Sequence, residues 1–593
     1  MAVEKLKPLT AQQREAVDCQ DNLLLTACPG SGKTRTLIAK LVYELEAIRQ
    51  TPRAICCITY TNTAVEEIEH RALEQLNPGD DQHVFVSTIH SFCLNEIVRP
   101  FGWLRPDFRA SRKVLTREDP KFEEIVRYAA GQVNYFNLGA RDFDDFESIA
   151  LNAAGKLIGM AAKNAAVARA APFYWQRCRD LDYVDFGTIV YEAYELIRDF
   201  PMIRKALGAK FRWFLIDEFQ DTSELQIEIL SLIFDAGRSK FFIVGDLAQS
   251  IFGFAGARPE LVQPFAERIG ARTDLSLSGN YRSSPPVVAN GEALFPRAPA
   301  MTAEGKNRSC TIQPVLIRDR STFSAIMERF LPALAADNIS FGDATILCRE
   351  WGPLISLSRQ LRDAGIPVVG PGARPYRKSR LFAGLAEQLC GAVVDPTPDT
   401  IRQLERALFF AVRDCTNESR MSLFAGDGRL AIVRLLKSAA AAAASGSAVR
   451  FLDEMSVATG ETLRDLEFVD RVQAGLFYAS AQEMKADVVR QKVDLANLSV
   501  EDLGLFASPQ KALKLSTVHT AKGREYKGVA LIEVTEGKYP HYYSRTSEAI
   551  QEDKRILYVG LTRAERVLMY ISAPDRFGNQ PSRFLGANGI GLI

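Results

Sequence analysis

Short apolar runs alternate with longer amphipathic stretches over the first part of the chain. The runs contain no charged residue and lie at residues 23–25, 54–58, 84–86, 213–216 and 241–244. Runs of this length and composition predict strands buried on both faces, as in a parallel sheet that is covered by helices. Small, polar or acidic residues follow the runs, at the edge where the carboxyl ends of such strands meet. The pattern is typical of an open α/β sheet with its chemistry at that edge.

Two stretches depart from this alternation. Residues 100–182 carry helical periodicity without strand runs, as in FEEIVRYAA, and predict a helical insertion. Its scattered Lys and Arg would suit a wall along a phosphate backbone, and they equally suit an ordinary solvated face. Farther along, the Ala-rich run 439–444 is followed by Ser-Gly-Ser and predicts a helix that ends in a flexible turn.

The first apolar run leads into ACPGSGKT, residues 27–34, which has the pattern of a phosphate-binding P-loop except that Ala27 replaces the usual Gly. Glycines let backbone N–H groups turn onto phosphate oxygens, and the following helix points its positive end at the same charge. Lys33 would contact the β- and γ-phosphates, and Thr34 would bind Mg²⁺. The predicted nucleotide-binding residues of this loop are Gly30, Ser31, Gly32, Lys33, Thr34 and Arg35.

Acidic and amide side chains follow two later strands. Asp217 and Glu218 come directly after the run 213–216, where Asp217 would hold Mg²⁺ and Glu218 would polarise the attacking water. After the run 241–244, Gln249 would sense the γ-phosphate. Near the amino terminus, the amide of Gln13 could pair with an adenine edge, although a solvated helix residue is the alternative interpretation.

Other side chains suit a single-stranded nucleic acid. Hydroxyls and amides in TYTNT, residues 59–63, would bond phosphates at a strand end and a helix start. Phe252 and Phe254 have the spacing of an aromatic surface on which bases stack, and core packing is the alternative. His90 lies at another strand end, where a lone histidine is usually structural. The segment LSLSGNYRSS adds a ring and a cation, Tyr281 and Arg282.

Composition narrows the class of protein without naming a reaction. The 593 residues are 47% hydrophobic and 24% charged, which is ordinary for a globular chain of two to four domains. The net charge of +1 means that nucleic acid would bind in a local groove and not on a generally basic surface. Ten Cys without a C-x-x-C pair, no signal-peptide pattern and no 18-residue apolar span predict a cytoplasmic protein that contacts no membrane.

One other pattern resembles part of a catalytic site. Residues 483–485, Glu-Met-Lys, match the E-x-K fragment of a nuclease core. The surrounding AQEMKADVVR has helical periodicity, whereas a nuclease core places this fragment on a strand. A nuclease site is therefore not predicted here.

Taken in order, the motifs resemble those of the UvrD, Rep and PcrA helicases of superfamily 1. The matching blocks are TAQQREAV, ACPGSGKT, TYTNTAVEEIEHR, STIHSF, LIDEFQDTSELQ, VGDLAQSIFGFAGA, LSGNYRSS, LSTVHTAKGREYKGV, EGKYPH, EDKRILYVGLTRA and RFGNQPSRFL. The resemblance implies an α/β fold of two RecA-like P-loop NTPase lobes with parallel sheets, each carrying a mostly helical insertion. It further implies a first lobe at 1–99 and 183–278 with its insert at 100–182, and a second at 279–385 and 511–593 with a reduced insert at 386–510.

The resemblance also implies residue roles. By this resemblance, Gln13 and Tyr281 would contact adenine, and Glu525 would lie near the ribose. Lys33 and Thr34 would contact the phosphates and Mg²⁺, and Asp217 and Glu218 would form the metal and water site. The γ-phosphate sensors would be Gln249, Arg282 and Arg563. Along the DNA path they are the aromatic residues Tyr60, Phe252, Phe254 and Phe577, with Thr61, Asn62, Thr88, His90 and His519 near the backbone. An arginine delivered from the second lobe would accelerate phosphoryl transfer and would make hydrolysis depend on lobe closure.

The implied function is an ATP-dependent DNA helicase or translocase that uses ATP and Mg²⁺ and moves on single-stranded DNA or tailed duplexes, with 3′ to 5′ polarity. Ala255 replaces an arginine usual in the family, the second insert is short, and no nuclease domain is expected after residue 585. These departures leave an alternative: an ATP-binding DNA sensor that partners a separate nuclease in an anti-phage defence system. A P-loop ATPase that acts on RNA or protein is the third interpretation.

Overall fold

A computed structural model describes residues 9–593 except 74, 78, 106–111, 118, 417–425, 574–579, 587–590 and 593. Its strands, in chain order, are β1 (Leu23–Ala27), β2 (Ala54–Thr59), β3 (Val84–Thr88), β4 (Lys113–Val114), β5 (Ala150–Leu151), β6 (Leu157–Ile158), β7 (Tyr183–Val184), β8 (Phe211–Ile216), β9 (Lys240–Gly245), β10 (Ser276–Leu277), β11 (Gly279–Asn280), β12 (Thr302–Ala303), β13 (Val315–Arg318), β14 (Ala344–Cys348), β15 (Val368–Val369), β16 (Leu513–Thr517), β17 (Tyr526–Leu531), β18 (Ala564–Ser572) and β19 (Gly591–Leu592).

The helices are α1 (Ala11–Asp18), α2 (Lys33–Ile48), α3 (Asn62–Leu73), α4 (Ile89–Phe92), α5 (Arg99–Phe101), α6 (Pro120–Gly131), α7 (Ala140–Glu147), α8 (Gly159–Lys163), α9 (Ala165–Asp180), α10 (Phe186–Asp199), α11 (Pro201–Lys210), α12 (Glu224–Phe234), α13 (Val262–Arg268), α14 (Pro285–Leu294), α15 (Thr322–Ala325), α16 (Leu331–Ala336), α17 (Trp351–Asp363), α18 (Ala383–Val394), α19 (Pro398–Thr416), α20 (Gly426–Ala443), α21 (Ala448–Asp465), α22 (Arg471–Arg490), α23 (Val500–Gly504) and α24 (Ser547–Leu561).

The chain folds into two compact units. The first contains the described residues up to Thr311 together with Tyr543–Thr562, and the second contains Ile312–Tyr542 with the described residues from Arg563 onward. Each unit is a RecA-like lobe with a parallel sheet and a mostly helical insertion, which confirms the predicted fold class. The residue limits that the sequence analysis gives for lobes and inserts stay a prediction.

In the first unit, six parallel strands form one sheet in the order β10-β1-β9-β8-β2-β3. Side chains that alternate along β8 enter two different cores: Trp213 and Leu215 pack on one face, and Phe214 and Ile216 on the other. The five apolar runs therefore form strands, as predicted, and the structure extends each by one or two residues. Four of the runs are buried, whereas residues 84–86 in β3, at the edge of the sheet, are half-buried.

The predicted helical insertion of the first unit contains α6 to α9, packed around a core that includes Ile125, Phe146 and Tyr174. Short strand pairs accompany the helices: β4 with β7, and β5 with β6. Two-residue strands carry no periodicity, so the sequence analysis did not predict them.

The second unit is built in the same way. Its seven strands are parallel in the order β15-β16-β14-β17-β18-β13-β19. Helices α18 to α23 have their own core, which includes Leu408, Phe451 and Phe477. The Ala-rich run lies in α20, and residues 483–485 lie in α22, so the helical reading of both is confirmed.

All ten cysteines are free thiols. Within the described ranges, every helix is too short or too polar to cross a lipid bilayer.

Candidate active site

The loop between β1 and α2 has the backbone that phosphate binding requires. Gly30 has φ 69° and Gly32, the N-cap of α2, has φ 80°, a left-handed conformation that favours glycine. Space is equally restrictive, because a Cβ on Gly30 would lie 2.7 Å from Cβ of Arg282, and one on Gly32 would lie 2.8 Å from the amide nitrogen of Gln13. The glycines therefore serve both the turn and the close packing of the residues around it.

The acidic turn after β8 faces this loop. Asp217 continues the β2 ladder, since its N–H donates to the carbonyl of Ile58 at 2.9 Å, and its side chain is buried. Burial, and then the Glu218 carboxylate, raise the pKa of Asp217 to about 7, while Lys33 acts in the opposite direction. The carboxyl is thus held in a site that disfavours its own charge, as expected of a group that meets a cation during function.

Glu218 lies opposite the P-loop lysine. Its Oε1 is 3.9 Å from Nζ of Lys33, and both side chains are mostly buried. Glu218 has φ 51°, a left-handed conformation that costs a non-glycine residue about 1–3 kcal/mol. The structure therefore brings together the predicted phosphate ligand and the predicted base, with local strain that turns the carboxylate toward the loop.

Gln220, for which no role was predicted, links the two acidic turns. Gln220 donates through Nε2 to Oε2 of Glu218, and its Oε1 accepts from the backbone N–H of Asp246 at 2.9 Å. Asp246 in turn accepts from Nε2 of Gln249 at 2.5 Å. The predicted base and the predicted γ-phosphate sensor, Gln249, therefore belong to one hydrogen-bonded network. A buried glutamine within DEFQD has no signal of its own in the sequence.

Gln13 and Tyr281 flank the P-loop. Gln13 is buried and donates through Nε2 to the carbonyl of Ser31 at 3.0 Å, which excludes the solvated-helix interpretation. Tyr281 donates its backbone N–H to the carbonyl of Gly30 at 2.8 Å and leaves 39% of its side chain exposed. The structure brings these predicted adenine contacts to one place, and their role stays a prediction.

Asn280 is a second residue without a sequence signal. Its Oδ1 accepts from the N–H groups of Arg282 and Ser283, at 2.9 and 2.8 Å, and fixes the loop that packs on Gly30. The guanidinium of Arg282 donates to the carbonyl of Thr562 at 3.1 Å, so the end of α24 reaches the same loop.

A magnesium ion fits the donors at this edge of the sheet. Over the described residues, no three His, Cys, Asp or Glu side chains form a metal cluster. Mg²⁺ needs none, because it is usually held by one or two protein oxygens with water and substrate phosphates. Thr34 in the first turn of α2 and the buried Asp217 are the predicted ligands, and this role stays a prediction. Arg35, beside Thr34, is partly exposed.

The predicted backbone contacts lie at two neighbouring strand ends. Strands β2 and β3 pair with Thr59 opposite Thr88, so the segments that follow them emerge side by side. Thr61 accepts from the N–H of Ala64 at 3.2 Å just before α3, which begins at the exposed Asn62. Thr88 caps α4 by accepting from the N–H of Ser91.

His90 contributes no positive charge to this surface. Its ring packs edge-on against Phe186, with 5.4 Å between the ring centroids, and burial lowers its pKa to about 4. A neutral imidazole can still donate a hydrogen bond to a phosphate, but it cannot form an ion pair with one.

Three predicted aromatic residues form one surface. Tyr60 and Phe252 stack with centroids 5.0 Å apart and an interplanar angle of 24°, and Phe254 lies 6.0 Å from Phe252. Phe254 is 48% exposed, so it is not a core residue. Thr59, which the sequence analysis placed on the phosphate-binding surface, is instead buried, and its hydroxyl has no hydrogen-bond partner among the residues described.

A single cleft touches both groups of residues. It is lined by Tyr60 and Ile89 on the side of the aromatic surface and by Asp217, Glu218 and Thr222 on the side of the acidic turn. Tyr60 of the aromatic surface and the acidic residues Asp217 and Glu218 therefore line the same cleft.

Residues of the second unit were also predicted. Arg563 is almost fully buried and donates to the carbonyl of Arg524 at 3.2 Å, beside the exposed Glu525. His519 lies in the turn after β16. Their roles toward nucleotide and DNA stay predictions, and Phe577 lies outside the described residues.

Two family models match the chain. The model described as the UvrD/REP helicase N-terminal domain covers residues 9–269, and the UvrD-like helicase C-terminal domain covers residues 475–575. Together the two models cover more than half of the chain, with the N-terminal model before the C-terminal one.

Relatives that match along nearly the full length are named as DNA helicases. DNA helicase II of Escherichia coli (strain K12) is 24% identical over 643 residues, which covers 98% of this chain and 87% of the relative. DNA helicase II of Haemophilus influenzae is 26% identical, with 98% and 87% covered. The ATP-dependent DNA helicase PcrA of Leuconostoc citreum is 24% identical, with 99% and 85% covered.

The ordered matches, the two RecA-like lobes and the assembled P-loop site lead to one conclusion. The chain belongs to the UvrD/REP helicase family and is an ATP-hydrolysing enzyme of that family.

Proposed function

We propose that the protein is a motor that moves 3′ to 5′ along single-stranded DNA and hydrolyses ATP with Mg²⁺ as it moves. The observation that carries the proposal is the cleft shared by Tyr60 and the Asp217–Glu218 turn. DNA that stacks on Tyr60 would lie at the cleft that Asp217 and Glu218 also line, so binding and chemistry can influence each other through this cleft.

The charges of the side chains around the P-loop suggest their roles in binding and hydrolysing ATP. Lys33 and the N-terminus of α2 would bind the phosphates, and Thr34 with Asp217 would hold Mg²⁺, which neutralises charge on the transferred phosphoryl group. Glu218 would accept a proton from the attacking water. Its 3.9 Å separation from Nζ of Lys33 suits a base that lies beside, and not on, the phosphate position.

The DNA half rests on stacking and on neutral hydrogen bonds. Tyr60, Phe252 and Phe254 offer ring faces that bind any base, at about 1–3 kcal/mol for each base stacked. Hydroxyl and amide groups at Thr61 and Asn62 would bond the phosphate backbone. A chain with a net charge of +1 is expected to bind DNA through this local surface, with little preference for sequence.

The test is strand displacement by the purified chain on duplexes that carry a single-stranded tail at either end. The proposal predicts that ATP opens the 3′-tailed duplex and leaves the 5′-tailed duplex closed. Opening of the 5′-tailed duplex alone would contradict the polarity, and hydrolysis that is indifferent to DNA would contradict the motor.

A second candidate is favoured by Ala255. It lies in the short helical turn Gly253–Ala255 beside Phe254 and is exposed, at the place where the family usually has an arginine. Without that cation, an ATP-binding DNA sensor that recruits a separate nuclease is the alternative function. Nucleotide-dependent DNA binding without any opening of tailed duplexes would favour the sensor over the motor.

A further inference from the structure

Asp246 forms hydrogen bonds with side chains from separate parts of the first unit. Its Oδ2 accepts from Nε2 of Gln249 and its Oδ1 accepts from Nη2 of Arg297, both at 2.5 Å. Its backbone N–H donates to Gln220, which itself donates to Glu218. One buried residue therefore connects both predicted groups: its carboxylate contacts the γ-phosphate sensor Gln249, and its backbone N–H leads through Gln220 to the base Glu218.

Arg297 extends this network to α24. The same Nη2 donates to the hydroxyl of Tyr558 at 2.9 Å, and Tyr558 is fully buried near the end of α24. Four residues later, the carbonyl of Thr562 accepts from Arg282. The end of α24 is thus linked by hydrogen bonds to both predicted γ-phosphate sensors of the first unit. Tyr558 reaches Gln249 through Arg297 and Asp246, and Thr562 contacts Arg282 directly.

Stability alone does not explain this arrangement. The Arg297 and Asp246 side chains are 14% and 1% exposed, and a buried ion pair often contributes no more stability than apolar residues of the same size. The Nε of Arg297 is also buried without a hydrogen-bond partner in the described part of the chain, which destabilises the folded state. A costly polar cluster beside a reaction centre is better explained by the geometry that it imposes.

The geometry concerns the amide of Gln249. Because a carboxylate can only accept, Asp246 determines that Nε2 of Gln249 turns toward it and that Oε1 turns away. Arg297 fixes the carboxylate, and Tyr558 fixes Arg297. Each link removes a rotation that would let the amide flip.

We propose that Arg297 and Tyr558 are positioning residues of the hydrolytic centre. They orient Gln249 through the carboxylate of Asp246, and neither is assigned a contact with the nucleotide. This inference deepens the proposed ATP hydrolysis and rests on it. It predicts that the position of α24 sets the rate of the chemical step and leaves the binding of ATP by the P-loop unchanged.

The test is the steady-state ATPase of Tyr558→Phe with saturating single-stranded DNA. We expect kcat to fall about tenfold or more, because a misplaced catalytic group can cost up to about 10²-fold, while KM for ATP stays within about twofold. Tyr174→Phe is the matched control, since Tyr174 is equally buried but packs in the core of the helical insert. Its kcat should equal that of the wild type.

The outcomes separate this inference from the proposed function. A wild-type protein that does not hydrolyse ATP refutes the proposed function, whereas an active wild type with an unchanged Tyr558→Phe variant overturns the positioning role. A fall in kcat matched by an equal rise in KM also overturns it, since that pattern indicates lost nucleotide binding. If Tyr558→Phe does not fold, Arg297→Lys provides the same test: it keeps the charge beside Asp246 but cannot hold the geometry of the guanidinium.

Discussion

Asp217→Asn is predicted to stabilise the free protein while it abolishes ATP hydrolysis. Burial and the Glu218 carboxylate raise the pKa of Asp217 from its ordinary value of 3.8 to about 7. A raised pKa means that the folded state binds the proton more tightly than the unfolded state. The stability from this proton is fully present below pH 4 and is lost as the pH rises through about 7.

The magnitude follows from the size of the rise. A change from 3.8 to about 7 corresponds to roughly 4 kcal/mol at most, since each pKa unit is worth about 1.36 kcal/mol. Asparagine keeps the shape of the side chain without the charge. At pH 8 the variant should therefore be more stable than the wild type by up to about 4 kcal/mol, and the difference should shrink toward pH 5.

The assay is thermal unfolding without nucleotide or Mg²⁺, measured from pH 5 to pH 8 on both proteins. The first unfolding midpoint should rise on the order of 5 °C for the variant at pH 8. Asp487→Asn is the control of opposite sign, because hydrogen bonds from Arg380 lower the pKa of Asp487, and its loss should destabilise the protein at neutral pH. A gap between wild type and Asp217→Asn that does not depend on pH would refute the reasoning.

Three further predictions address single side chains. Glu218→Gln should lower ATP turnover by about 10²- to 10⁴-fold with DNA binding retained, because it removes only the base, and near-normal turnover in an ATPase assay would contradict the assignment. Phe254→Ala should weaken single-stranded DNA binding by about 1–3 kcal/mol in a fluorescence anisotropy titration. The equally exposed Phe410→Ala should not, and equal effects would exclude base stacking. Thr59→Val removes a buried hydroxyl without a partner and should leave the free energy of unfolding unchanged or raise it by up to about 1 kcal/mol, whereas a loss on chemical denaturation would show a missed contact.

Local patterns predicted much of the fold and of the site. Buried parallel strands appear in the sequence as uninterrupted apolar runs, and each run is followed by the residues that the sheet edge displays. The P-loop and the acidic turn were predictable for this reason, because their residues are contiguous and begin at a strand end. Family motifs supplied Tyr60 and Arg563, for which no local pattern argues.

The network around Asp246 was not predictable from the sequence. Gln220, Arg297 and Tyr558 meet there from distant segments, and each is an ordinary polar residue in its local context. The prediction that Thr59 lies on the phosphate-binding surface was wrong because it relied on the local sequence alone. It belongs to a polar segment, yet β2 continues through it and buries its side chain.

The sequence also does not predict that Tyr543–Thr562 belongs to the first unit. No change in composition marks Thr311 or Tyr543, since the boundary depends on which surfaces α14 and α24 bury against each other. Such pairings between distant segments leave no periodic signal in either segment.

The most direct test of the account is the rate of ATP hydrolysis by the purified chain, measured as single-stranded DNA is added. If the aromatic surface and the acidic turn act on each other through their common cleft, turnover rises with DNA to a plateau, and Phe254→Ala shifts the rise to higher DNA concentration. Turnover that is the same with and without DNA, in a protein that binds both ligands, would contradict the account.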